Sequence, residues 1–227
     1  MFNDPKILSI AFIGGIIPAL LWLWFWLKED QKKEEPKGIL PVIFFLGMLA
    51  VVAVLPIQRV IQGSTENEIA RIIGWAGVEE ILKYLAVLVI VYRTNYVREP
   101  VEWPIYLITA ALGFAALENM LYLIKPLAAG TTTVSLLTGQ LRFLGATLLH
   151  SIASGIVGIS LGLAYHLEGF RRYWHIFAGL VTAIALHSVF NFFIIQNDGS
   201  EFLKVFSFLW VVTIVVMLLF ERVRRMN

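Results

Sequence analysis

Seven stretches of roughly twenty apolar residues, set apart by short polar connections, constrain this chain more than any other feature. A helix rising 1.5 Å per residue needs about 20 such residues to cross the ~30 Å hydrocarbon core of a bilayer. The candidates are Ile7–Leu27, Ile39–Ile61, Ile69–Tyr92, Trp103–Ile124, Phe143–Tyr165, Trp174–Ile195 and Phe202–Phe220. The 227-residue chain is 59% hydrophobic with a mean hydropathy of +0.79, which excludes disorder and argues against an ordinary soluble domain. The expected fold is an all-α polytopic membrane protein, a bundle of seven or at most eight transmembrane helices. It forms one integral membrane domain over residues 1–227, in the cell membrane of a bacterium or archaeon.

Local signals refine this frame. Ile7–Leu27 is too long for a signal-peptide core and ends without a small-residue cleavage site, so it reads as a retained first span. Trp22, Trp24 and Trp26, followed by Lys28, read as an interfacial belt. Thr65-Glu66-Asn67-Glu68 has the capping-box pattern and marks the start of the third helix. The 127–140 stretch, LAAGTTTVSLLTGQ, is too short and polar to span and reads as a loop or re-entrant piece.

Orientation follows from Lys and Arg alone. One set of loops holds Lys28, Lys32, Lys33, Lys37, Arg93, Arg98, Arg171, Arg172, Arg222, Arg224 and Arg225; the other holds Lys6, Arg59, Arg71, Lys125, Arg142 and Lys204. Eleven against six places the N-terminus outside and the C-terminus inside. The formal charge of +2 and the absence of a basic cluster with interleaved aromatics exclude nucleic acid as a partner. With no cysteine, thiolate metal sites and a cysteine nucleophile are excluded as well.

Against this background the GVEEILKYLAVLVIVY stretch stands out, because Glu79, Glu80 and Lys83 lie in a span. A charge near the centre of a span costs roughly 2.5–3.5 kcal/mol on insertion scales. The remaining intramembrane ionisable residues are Glu118, His150 and His187, accompanied by Asn119 and Asn191. Counted along each span, Glu79 and Glu80 lie roughly 15 Å from the outer boundary, with His150, Glu118 and His187 at about 9–12 Å. Four helices thus carry their polar groups at one level, from the midplane to the outer half, as a shared hydrated cavity requires. Glu79 and Lys83 share a helix face at i, i+4, Glu80 reaches Lys83 at i+3, and His187–Asn191 and His150–Ser154 are also one turn apart. Ser151, Ser154, Gly155, Gly158 and Gly162 give the fifth helix a small-residue face that lets a neighbour approach.

Each residue alone has a plainer reading. A single intramembrane His is more often a hydrogen-bonded packing residue, Glu79–Lys83 could be a structural ion pair, and Asn191 and Phe114 could simply pack. Six ionisable groups at one level on four helices favour a functional cavity. Hydrolysis needs an activated water, a proton donor and an oxyanion holder, and three glutamates, two imidazoles and an amide can supply them. The same set could hold Zn²⁺ through His150, His187 and a carboxylate, with one position open. With both histidines neutral the cavity carries two more negative than positive charges, which a protonated glutamate, a His⁺ or a bound cation would relieve. A glutamic mechanism needing no cofactor and a metal-dependent one therefore both stand. No HExxH motif and no intramembrane aspartate pair occurs, and Ser151 and Ser188 point away from the adjacent histidines' faces.

EEILKY (Glu79, Glu80, Lys83), FAALENMLYL (Phe114, Glu118, Asn119), LLHSIASGIVGISLG (His150) and ALHSVFNFF (His187, Asn191) resemble, in order and spacing, the motifs of the PrsW-type intramembrane proteases. These belong to a wider superfamily with the CAAX prenyl endopeptidases. The resemblance covers residues 70 to 195 and implies a protease core of about 66–195. It further implies extracytoplasmic cleavage of a single-span membrane-anchored protein, such as an anti-sigma factor in envelope-stress signalling. Glu79 and Glu80 would activate water, and His150 and His187 would hold the water or stabilise the intermediate. Glu118 stands where the prenyl endopeptidase branch has a histidine. Asn191 replaces the usual Asp and suits an oxyanion donor; Ser154 has no assigned role. The competing readings are an ion- or proton-coupled transporter, which ordinarily shows repeated halves that this chain lacks, and a non-catalytic immunity or scaffold protein of the same fold.

Overall fold

The computed structural model describes residues 4–29, 38–94, 97–131, 145–196 and 202–226. Among them are seven α-helices and no strand: α1 (Pro5–Glu29), α2 (Ile39–Ser64), α3 (Glu68–Thr94), α4 (Glu102–Ala128), α5 (Thr147–Leu163), α6 (Gly169–Gln196) and α7 (Phe202–Arg224). An all-helical chain satisfies every span's backbone internally, as hydrocarbon demands. Five helices (α1, α2, α4, α6 and α7) are long and apolar enough to cross a membrane. α5 has 17 residues and ends earlier than the expected Phe143–Tyr165, whose first two residues lie outside the described residues. α3 is long enough, but Glu79, Glu80 and Lys83 break its apolar run. Most of the 127–140 stretch lies outside the described residues; its first part ends α4 and turns at Gly130, where φ is +70°.

α4 is the axis of the bundle. Residues from Trp103 to Ala116 are buried without interruption, whereas α1, α2 and α7 keep outward faces of exposed Leu, Ile, Val and Phe. A helix apolar all round belongs in the middle, and the outer apolar faces suit lipid. Apolar area does not drive one helix onto another in lipid, so close backbone approach does the holding. Gly47 on α2 meets the Ala110 carbonyl, and Gly113 on α4 meets the Phe44 carbonyl; a Cβ at either glycine would overlap the partner backbone. The small face of α5 behaves as expected, with Gly158 against the backbone of Pro104.

Two local expectations are corrected. α3 is capped by Asn67: the Ala70 N–H donates to Asn67 Oδ1 at 3.0 Å, while Thr65 Oγ1 accepts from the Asn67 N–H at 3.1 Å. The Asn side chain reaches the third helical amide directly, so Thr65 serves the turn before the helix. The tryptophans do not form one belt. Trp24 is 63% exposed with Lys28 over its ring, but Trp26 is 2% exposed and packs on Phe220, and Trp22 meets Trp210. Positions 22 and 26 are one turn apart and share the face turned to α7, whereas 24 points the other way.

Candidate active site between α2, α3, α4, α5 and α6

Glu79, Glu80 and Lys83 reach the bundle interior because α3 turns the face carrying them toward α5 and α6. All three are buried, Lys83 completely. A buried ammonium needs charge and hydrogen-bond partners. Lys83 Nζ donates to Glu80 Oε1 at 2.7 Å and to His150 Nδ1 at 2.8 Å, lies 3.9 Å from Glu79 Oε2, and sits 4.4 Å over the Phe114 ring. Phe114 is thus more than packing: its face contributes a cation–π contact in a desolvated setting.

The adjacent glutamates have different surroundings. Glu80 is saturated. Its Oε1 also accepts from His187 Nδ1 at 2.9 Å, and its Oε2 accepts from the Ser154 hydroxyl at 2.7 Å. Glu79 Oε1 accepts from the Gln58 side-chain amide at 2.9 Å. Glu79 Oε2 is buried with no hydrogen-bond partner, 3.7 Å from His187 Nε2.

These contacts settle two imidazole tautomers. An ammonium only donates, so His150 Nδ1 accepts from Lys83, and Nε2 carries the proton toward Glu118 Oε2 at 3.0 Å. A carboxylate only accepts, so His187 Nδ1–H donates to Glu80, and its Nε2 lone pair is turned toward Glu79. The two rings meet edge to face at 5.1 Å. Glu118 is the more solvated carboxylate, its side chain 19% exposed against 0% for Glu80.

The structure therefore joins Glu79, Glu80, Lys83, Glu118, His150 and His187 in one network. Asn119 stands beside it, donating to Thr147 Oγ1 at 2.8 Å. Asn191 is half-buried one turn beyond His187, with no hydrogen bond to the cluster among the described residues. Ser151 and Ser188 bond back to carbonyls of their own helices at 2.8 and 2.7 Å. Two participants escaped the sequence reading. Ser154 lacked a partner until α3 was placed beside α5. Gln58 was passed over because it is uncharged; its signal was an amide directly after the long apolar run of α2, beside Arg59 and Gln62.

One ligand atom each from Glu79, His150 and His187 lies within 4.8 Å of the others, close enough to hold a metal ion. The unpartnered Glu79 Oε2 and the aimed His187 Nε2 are the donors such an ion would take, and Glu80 behind His187 is the outer carboxylate typical of metal-bound histidines.

Comparisons with known proteins identify the family. The family model for the PrsW family intramembrane metalloprotease matches residues 35–220. Relatives named Protease PrsW include those of Geobacillus kaustophilus, 29% identical over 82% of this chain and 80% of that protein, and Bacillus subtilis, 27% identical over 87% and 89%. The Clostridioides difficile protein of that name is 26% identical over 80% of this chain and 77% of its own length. No solved structure matches the chain. With buried Glu–His chemistry inside a helical membrane bundle and a family match over most of its length, this chain belongs to the PrsW family of intramembrane proteases.

Proposed function

We propose that this intramembrane protease hydrolyses a peptide bond of a single-span membrane-anchored protein at a site centred on Glu79, His150 and His187. The observation that carries the proposal is the buried, unpartnered Glu79 Oε2 facing His187 Nε2. Leaving such an atom unpaired costs roughly 1–3 kcal/mol, so its persistence marks a place kept for a ligand. The donor set of two imidazoles and a carboxylate fits zinc, with Glu79, His150 and His187 as the holders. Bound there, zinc supplies Lewis acidity and a water acidic enough to attack at neutral pH.

The chain's own groups divide the remaining work. Glu80, bonded to Lys83, Ser154 and His187, is a fixed anion that keeps His187 in its Nδ1–H tautomer. Its oxygens are occupied, which leaves Glu79 as the working carboxylate. His150 Nε2 would become free to ligate, as a neutral imidazole, if Lys83 passed a proton to Nδ1 while Nε2 passed its own to Glu118, the neighbour with solvent access. Glu118 is thereby also placed to deliver a proton to the leaving amine. Asn191, unengaged by the cluster, is available to donate to the substrate carbonyl. A metal-free reading draws on Lys83, which occupies His150 Nδ1 directly; there Glu79 takes the proton from water as a general base.

The membrane arrangement belongs to the same proposal. Seven spans with the N-terminus outside, supported by the Lys and Arg distribution, put the active site in the outer half of the membrane. The substrate is then cut near its extracytoplasmic end, as an anti-sigma factor would be, by a core of about residues 66–195 within a single integral domain.

N-terminal peptide mapping of membrane fractions tests this, comparing cells with the wild-type protein and with a Glu79→Gln, Glu80→Gln double variant. New N-termini within or just outside the outer part of single-span proteins, in the wild type alone, are the expected result. Identical maps from two folded, inserted proteins under envelope stress overturn it. Inactivation by a chelator and restoration by zinc separate the metal-dependent route from the metal-free one.

A further inference from the structure

We infer that Gln58 on α2 is the positioning residue of the site, holding one oxygen of Glu79 so that the other stays turned to His187. The inference rests on the assignment of Glu79 as the working carboxylate. Gln58 Nε2 lies 2.9 Å from Glu79 Oε1. Because an ionised carboxylate offers no proton, the amide meets it nitrogen first. The backbone at Gln58 is itself tied to α3: its carbonyl accepts from Trp75 Nε1 at 3.2 Å. Trp75 and Glu79 are one turn apart, so α2 grips α3 twice along one face.

The choice of side chain matters. Glu79 Oε2 has two cationic or polar neighbours at similar range, His187 Nε2 at 3.7 Å and Lys83 Nζ at 3.9 Å. Without a tether, the carboxylate gains rotamer freedom and swings onto the ammonium, the stronger attractor in a desolvated cavity. A lysine or arginine at position 58 would tether it but would neutralise the charge a metal or a proton must meet. The neutral amide fixes orientation and leaves the charge intact. Gln58 is only half-buried, at the edge of the cluster, where α2 closes over it.

The test is Zn²⁺ titration of the full-length protein in nanodiscs against a chromophoric chelator, for wild type, Gln58→Met and Gln58→Glu, with substrate cleavage measured in parallel. Loss of an outer-sphere partner typically costs about 10–100-fold in metal affinity or activity. Gln58→Met is expected to weaken zinc by that factor and lower kcat, with KM moving less than about twofold. Gln58→Glu, equal in size but repelling Glu79, is expected to lose more, and it carries the test should Gln58→Met fail to fold. Adding either change to Glu79→Gln should cost no further zinc affinity, whereas a merely structural role gives additive losses of affinity. Unchanged zinc affinity and kcat in the Gln58 variants, or additive losses, overturn the inference. If the wild-type protein binds no zinc, the metal assignment alone fails, and kcat of the Gln58 variants still decides: a loss of about tenfold or more supports the inference and an undiminished kcat overturns it.

Discussion

His187 Nδ1 stands 2.9 Å from Glu80 Oε1, and that bond decides which side of the ring meets Glu79. Two glutamates adjacent in sequence thereby take opposite parts: one is an anchored anion, the other has an oxygen in reserve. Helical neighbours point about 100° apart, so Glu80 faces α5 and the Lys83 ammonium while Glu79 faces α2 and the far side of the imidazole.

This division predicts unlike consequences for two isosteric changes. Glu80→Gln leaves a fully buried Lys83 facing a neutral amide in place of its anion at 2.7 Å, and breaking a buried pair from one side costs about 3–5 kcal/mol. Glu79→Gln removes a carboxylate whose Oε2 bonds to nothing and should cost less than about 1–2 kcal/mol. Both should abolish cleavage. Thermal unfolding in detergent separates them: a large drop in Tm for Glu80→Gln and a small one for Glu79→Gln. The reverse order would mean that the two roles are exchanged.

Ser154 donates to Glu80, an anion already held by Lys83 and His187, and this fits a support rather than a nucleophile. Ser154→Ala should lose a hydrogen bond to a charged group, about 1.5–3 kcal/mol of stability, while retaining measurable cleavage. Complete loss of turnover in a folded Ser154→Ala protein would contradict that role.

The axis of the bundle is held by glycine contacts. Gly113→Val puts a side chain into the Phe44 carbonyl, which is backbone and cannot step aside without moving α2. Overpacking of this kind costs about 1–3 kcal/mol or more. Because α2 carries Gln58, the shift should also depress cleavage beyond its effect on folding, measurable as reduced kcat in protein that remains folded below its Tm. Gly63→Val, at a glycine with open space around it, is the control and should leave activity unchanged.

Much of this was legible in the chain. Apolar runs of span length dictate helices whatever they pack against, since no other open structure satisfies its backbone in hydrocarbon. Charged residues in those runs are expensive enough that Glu79, Glu80, Lys83, Glu118, His150 and His187 had to meet one another, and helix periodicity alone pairs Lys83 with its glutamates. What periodicity cannot do is choose a partner on another helix. Ser154 against Glu80, Gln58 against Glu79 and Glu118 against His150 are contacts between residues 74, 21 and 32 positions apart. They depend on how closely helices approach, which Gly47, Gly113 and Gly158 set through backbone contact with particular partners. The inventory of chemistry was therefore written in residue type and spacing. The division of labour between two adjacent carboxylates was decided only by tertiary packing, because hydrogen bonds are short and directional and each oxygen takes the partner that packing puts within reach.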